Sequence, residues 1–135
     1  MFVVDTNIIV PLYIRSAATE AARKLRERDA VWRTEPFALT EFSNALASYA
    51  RARYLTKELA QQCLGQAENF LRAHYFEVTH EAALELALRY KVSAYDGRFL
   101  AVAQQLGARL ITEDTKLRAA APALTQSLAE ALARA

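Results

Sequence analysis

Met1-Phe2-Val3-Val4-Asp5-Thr6-Asn7 decides how this chain is read. Three apolar residues, two of them β-branched, run into one carboxylate just as the sequence becomes helix-like. A short, continuously apolar strand suits a parallel sheet covered on both faces. Ligands of such sheets bind beyond the carboxyl ends of the strands. Asp5 stands at that position, so the functional question is which other acids reach it.

Working outward, the pattern alternates between strand and helix. Thr6 or Asn7 is expected to cap a helix reaching Ile14, kinked or interrupted at Pro11. Ser16 to Arg28 reads as a second helix and Ala30 to Arg33 as a short strand. Thr34 should cap a helix to about Arg53, with Pro36 in its first turn. Thr56 should cap another to Ala73, and so short a turn between them predicts an antiparallel hairpin. Tyr75 to Val78 alternates and reads as a strand. Helices to Tyr90 and from Ser93 to Leu106 follow, the second stopped by Gly107. Ala108 to Thr112 is a buried strand, Asp114 to Ala120 a helical turn or two, and Leu124 to Gln126 an edge strand. Ser127 caps a C-terminal helix. The alternation predicts an α/β fold: a three-layer α/β/α sandwich around a central parallel sheet of four or five short strands.

Bulk composition narrows the function classes. A chain of 135 residues with 53% apolar content points to one domain, residues 1–135, with a real core. A net charge of +2 does not by itself argue for nucleic acid. No apolar run is long enough to span a bilayer, and no leader is visible, so a soluble cytoplasmic protein without a membrane role is expected. The single Cys63 fits a reducing compartment.

Four carboxylates have unusual neighbours. Asp5 ends an apolar strand, and Asp114 follows the strand ending at Thr112. Asp96 shares a helix stripe with Phe99, Leu100 and Ala103, the stripe that should face the core. Glu41 borders an inward stripe early in its helix. Singly, each has an ordinary reading: Asp5 and Asp114 as caps, Asp96 as part of a Ser93 capping box, Glu41 as a dipole-favoured acid. Together, two strand ends and two helix beginnings can share one sheet edge. Crowded acids need a cation or shared protons. An oxygen-only donor set suits Mg²⁺ or Mn²⁺ rather than zinc, and His74 and His80 read as surface or helix-start residues. Such a site fits phosphoryl chemistry by activated water. No serine or cysteine has a plausible His partner for acyl transfer, and no phosphate-cradling glycine motif occurs.

These segments carry a resemblance. Val3-Val4-Asp5-Thr6-Asn7, Thr40-Glu41-Phe42-Ser43-Asn44, Ser93-Ala94-Tyr95-Asp96-Gly97-Arg98-Phe99-Leu100-Ala101-Val102-Ala103 and Leu110-Ile111-Thr112-Glu113-Asp114-Thr115-Lys116-Leu117 occur in family-like order and separation. The chain resembles the PIN-domain ribonucleases, most of all the VapC-type toxins of bacterial and archaeal toxin–antitoxin pairs. The resemblance implies a Mg²⁺- or Mn²⁺-dependent endoribonuclease. By carry-over, Asp5, Asp96 and Asp114 hold metal, and Glu41 completes the catalytic set by orienting water or taking its proton. Thr6, Asn44 and Thr112 would support those four. Asp114 is chosen over Glu113 from the Thr-x-Asp spacing. Gly97 stands where Ala is expected, which should loosen one helical turn. The family further implies an RNA substrate, a small cognate antitoxin and a homodimer. The hairpin from Phe37 to Phe70 is the candidate antitoxin-docking surface. Single-stranded RNA loops are the expected target, with Tyr13, Tyr95 and Arg98 available to stack or contact phosphate.

Two other readings compete. One is a PIN-like nuclease of RNA processing or turnover with no toxin role. The other is a phosphoacceptor signalling module built on Asp5, for which no strand-ending Lys is present.

Overall fold

The computed structural model describes residues 1–134; Ala135 lies outside the described residues. Four short strands, β1 (Phe2–Val4), β2 (Trp32–Arg33), β3 (Leu110–Ile111) and β4 (Thr125–Gln126), form one parallel sheet in the order β2-β1-β3-β4. Phe2 pairs with Trp32, and Val3 lies opposite both Arg33 and Leu110. Val3, Val4, Leu110 and Ile111 are fully buried, as residues of a sheet covered on both faces must be. The helices are α1 (Thr6–Tyr13), α2 (Thr19–Arg28), α3 (Phe37–Arg51), α4 (Lys57–Leu71), α5 (His80–Tyr90), α6 (Ala94–Gln105), α7 (Thr115–Ala120) and α8 (Leu128–Arg134).

The chain leaves β1 for β2 on one side, then crosses to β3 on the other. The gap beyond the ends of β1 and β3 is therefore the topological switch point, where ligands of open α/β sheets bind. Among the described residues, no helix is long and apolar enough to cross a membrane.

The expected fifth strand at Tyr75–Val78 does not form. A single parallel bridge joins Thr34 to Tyr75, with the Phe76 N–H donating to the Thr34 carbonyl at 2.9 Å. Since β2 ends at Arg33, little template remains for a longer ladder. The chain instead turns into α5, whose cap is Thr79. Helix α1 is not interrupted at Pro11, and Asp5, rather than Thr6 or Asn7, caps it. The second helix starts at Thr19, not Ser16, because Ser16 and Thr19 bond to one another in a turn. Thr34 does not cap α3. Its hydroxyl donates to the Val4 carbonyl at 2.9 Å, and Glu35 accepts the Phe37 N–H at 3.2 Å instead.

Helices α3 and α4 pack on each other, as their short connection requires. Phe42, Leu46 and Ala67 form a small core there with Val10, Tyr13, Cys63 and Leu64 packed around it, while Leu59 is exposed. Gly97 lies where α6 crosses α5. A Cβ at that position would run into the Ala83 carbonyl oxygen. The residue therefore permits close helix approach rather than merely loosening a turn.

Candidate active site

Four segments deliver the four acids. Asp5 is the residue after β1 and the cap of α1; its Oδ1 accepts the Thr6 N–H at 2.7 Å. Glu41 comes from the second turn of α3 and Asp96 from the first turn of α6. Asp114 caps α7, its Oδ1 accepting the N–H groups of Lys116 and Leu117 at 3.0 and 3.1 Å. The capping geometry expected of Asp5 and Asp114 is thus present, and it aims both carboxylates rather than consuming them. At α6, Ser93 accepts the Asp96 N–H at 3.0 Å. All four acids line one hollow of ≈ 240 Å³ together with Thr6, Asn7 and Val10.

Around Asp5 the polar groups are fully committed. The Thr112 hydroxyl donates to Asp5 Oδ2 at 2.7 Å and accepts from Asn7 Nδ2 and the Asp114 N–H, each at 3.1 Å. One hydrogen and two lone pairs are all a hydroxyl has, so its orientation is set. Asn7 also accepts the Glu113 N–H at 3.1 Å. This knot ties the end of β1 to the end of β3. Thr6 donates to Glu41 Oε1 at 2.7 Å. Thr6 and Thr112 therefore lie in direct hydrogen-bond contact with two of the four acids. Asn44 does not: it is exposed and lines a neighbouring hollow that shares Glu41. Asn7, which reads from sequence only as a cap, is a member of the network. Its place directly after Asp5-Thr6 was the available signal.

The electrostatics follow from burial. Asp5 is 7% exposed. Desolvation pushes its carboxyl up from 3.8 to about 6, against the pull of the Thr112 and Thr6 hydrogen bonds, with Glu41 and Asp96 adding repulsion. Glu41 is raised by desolvation, opposed by the Thr6 bond, with a push from Asp96. Asp96 is raised by desolvation and then by Asp114, against the Ser93 hydroxyl. Like charges in one desolvated hollow oppose each other's ionisation. A hard cation would relieve that repulsion, and the donors are all oxygen. As the side chains stand, however, no three acidic, imidazole or thiol groups among the described residues are gathered tightly enough to grip an ion.

The residues expected to touch RNA divide. Tyr13 is half-buried against Phe42, ring centroids 5.6 Å apart, so it belongs to the core. Tyr95 is 62% exposed and stacks on Phe37 at 5.1 Å with planes 9° apart. Arg98 reaches Glu35 at 3.6 Å and His80 Nδ1 at 2.6 Å. Glu35, only 3% exposed, had no signal in the sequence beyond its place beside Pro36. His74 is half-buried rather than on the surface.

Comparison with known proteins follows the same lines. Residues 2–122 match the family described as the PIN domain. The chain belongs to the PIN-domain family. This PIN domain is 30% identical over 125 residues to Ribonuclease VapC3 of Pyrobaculum aerophilum, covering 90% of this chain and 95% of that one. Among solved structures, it superposes on PAE2754 from Pyrobaculum aerophilum with a TM-score of 0.75 at 22% identity, over 98% of this chain and 94% of the other. A toxin–antitoxin complex from Klebsiella pneumoniae contains a chain matched with a TM-score of 0.68 at 20% identity, over 93% of this PIN domain and 97% of that chain. The two structures show a shared fold. The family reading made from four scattered motifs is borne out.

Proposed function

We propose that this PIN domain is a Mg²⁺- or Mn²⁺-dependent endoribonuclease, the toxin of a toxin–antitoxin pair, acting in the cytoplasm. The observation that carries the reading is the convergence of Asp5, Glu41, Asp96 and Asp114, from four separate segments, on one hollow at the switch point of the sheet. The upward shifts of Asp5, Glu41 and Asp96, set first by burial and then by neighbouring acids, support a cation partner. The likeness to a protein named Ribonuclease VapC3 supports RNA as substrate.

Asp5, Asp96 and Asp114 would hold the ion. Bound there, it would supply positive charge that acidifies water and offsets charge on the departing oxygen. The chain's own residues supply the rest. Glu41, raised by burial and oriented by Thr6, is placed to take the proton of an attacking water. Thr112 and Asn7 keep Asp5 aimed and favour its charged form. Low exposure around Asp5 limits competing solvent.

The match to a chain of a toxin–antitoxin complex supports a small antitoxin as partner. We place its docking on the α3–α4 hairpin, where Tyr49, Tyr54 and Leu59 remain exposed. We also take the working form to be a homodimer of single-domain chains. A phosphoacceptor role is disfavoured because none of the described strands, which end at Val4, Arg33, Ile111 and Gln126, closes on a Lys. A nuclease of RNA turnover would share this site and differ only in partner.

The test is cleavage of single-stranded RNA by the purified chain. Cutting should require Mg²⁺ or Mn²⁺, stop with EDTA, and fall at least a hundredfold in Asp96→Ala. Wild-type cutting by Asp5→Ala or Asp96→Ala, or undiminished cutting in EDTA, would overturn the reading.

A further inference from the structure

Beside the acidic hollow lies a second one of ≈ 480 Å³, lined by Phe37, Thr40, Glu41, Asn44 and Ala45. We propose that it is a nucleobase subsite, holding the unpaired base next to the phosphate that is cut. The inference rests on the nuclease reading and adds to it a place where the substrate's sequence is read.

Three observations support it. Glu41 lines both hollows, so a strand whose phosphate lies among the acids passes directly to the second. The lining differs in chemistry from the first hollow. It offers one aromatic ring, one apolar Ala and two exposed neutral polar side chains, Thr40 and Asn44, on successive turns of α3. That combination suits a flat, neutral ring with donors and acceptors on its edge, and its volume falls within the roughly 300–1,000 Å³ of small-ligand sites. A phosphate would find no cation there. Finally, Phe37 is braced. Tyr95 stacks on its ring, and Glu35 accepts its N–H while pairing with Arg98. Tyr95 and Arg98 flank Asp96 on α6, so the aromatic wall is fixed to the helix that carries an active-site acid. Single-stranded RNA is read by stacking unpaired bases on aromatic rings and bonding their edges. Asn44 presents both an amide donor pair and a carbonyl acceptor, the equipment for reading a base edge in two places.

Two measurements test this on the full chain with Mg²⁺ present. The first follows the Asn44 side-chain amide by NMR during titration with AMP, GMP, CMP and UMP. At least one nucleotide should move that signal, and Phe37→Leu should weaken its binding on the order of tenfold, the scale of one lost stacking contact. No shift with any of the four, or unchanged affinity in Phe37→Leu, overturns the subsite. The second sequences the products cut from a random single-stranded RNA pool. One position beside the cut should show a base bias, flattened in Asn44→Ala and in Thr40→Val relative to every other position. A bias that survives both variants also overturns it. If wild-type protein cuts no RNA, the nuclease reading fails, and the nucleotide titration still judges the subsite. An antitoxin peptide that moves the Asn44 signal when no nucleotide does would assign the hollow to the partner and refute the proposal.

Discussion

Replacing Asp5 with Asn should make the metal-free protein more stable while abolishing its activity. The Asp5 carboxyl titrates at about 6 instead of 3.8. The folded state therefore holds this proton more tightly than the unfolded chain does. The associated stability is full below pH 4 and is lost as pH rises through about 6. A rise of about two units amounts to about 3 kcal/mol, so at pH 7 the ionised carboxylate costs the fold about that much. The new amide carries no charge to desolvate. Its oxygen can still accept from Thr6, but its nitrogen would face the Thr112 hydroxyl, whose lone pairs already accept from Asn7 and Asp114. One O–H then loses its acceptor, at about 1–2 kcal/mol. The net expectation is a gain of about 1–2 kcal/mol at pH 7 and, with no charge left to desolvate, a loss of about 1–2 kcal/mol at pH 4. Urea denaturation in EDTA at both pH values measures it. Added Mg²⁺ should stabilise the wild type and leave the variant unchanged. A variant less stable than wild type at pH 7, or an equal difference at both pH values, would refute the account of Asp5 as a desolvated charge awaiting a cation.

Other expectations follow from the same contacts. Thr112→Val removes the hydrogen bond that lowers Asp5, so the Asp5 midpoint should rise by about one unit or more, read by carboxyl-carbon NMR, and the pH optimum of RNA cleavage should move alkaline. Thr6→Val strips Glu41 of its donor; the Glu41 carboxyl should titrate higher still, and kcat should fall more than KM rises. Gly97→Ala drives a methyl into the Ala83 carbonyl; the clash should outweigh the better helix propensity and cost about 1–3 kcal/mol in urea denaturation. Glu35→Ala leaves Arg98 half-buried without its carboxylate and the Phe37 N–H without a cap, for a loss of about 2–3 kcal/mol by the same assay.

What could be read from the sequence divides along physical lines. The parallel sheet was visible because β1 and β3 are continuously apolar and helices separate every strand. The acids were visible because carboxylates beside apolar stripes are rare. Tyr75–Val78 misled because alternation describes a strand's faces, not whether a neighbouring backbone is long enough to pair with it. Thr34 misled because a β-end hydroxyl has two uses, and the buried Val4 carbonyl outbid the helix end. Asn44 shares a helix with Glu41, yet three residues of helical rotation carry it out of the acidic hollow into the next one. Asn7, Thr112 and Asp114 form a knot that no local pattern encodes, since it joins residues from opposite ends of the chain. Gly97 was legible as unusual but not as necessary, because its reason lies in another helix.

Asp5 and the Thr112 hydroxyl that orients it are separated by 107 positions in sequence. During synthesis, β1 emerges first and its inner edge stays unpaired until β3 has left the ribosome. Contacts of such long range form late. A nascent or truncated copy of this chain therefore carries Asp5 and Glu41 without the groups that finish their surroundings. The acidic hollow is thus complete only once β3 has docked beside β1.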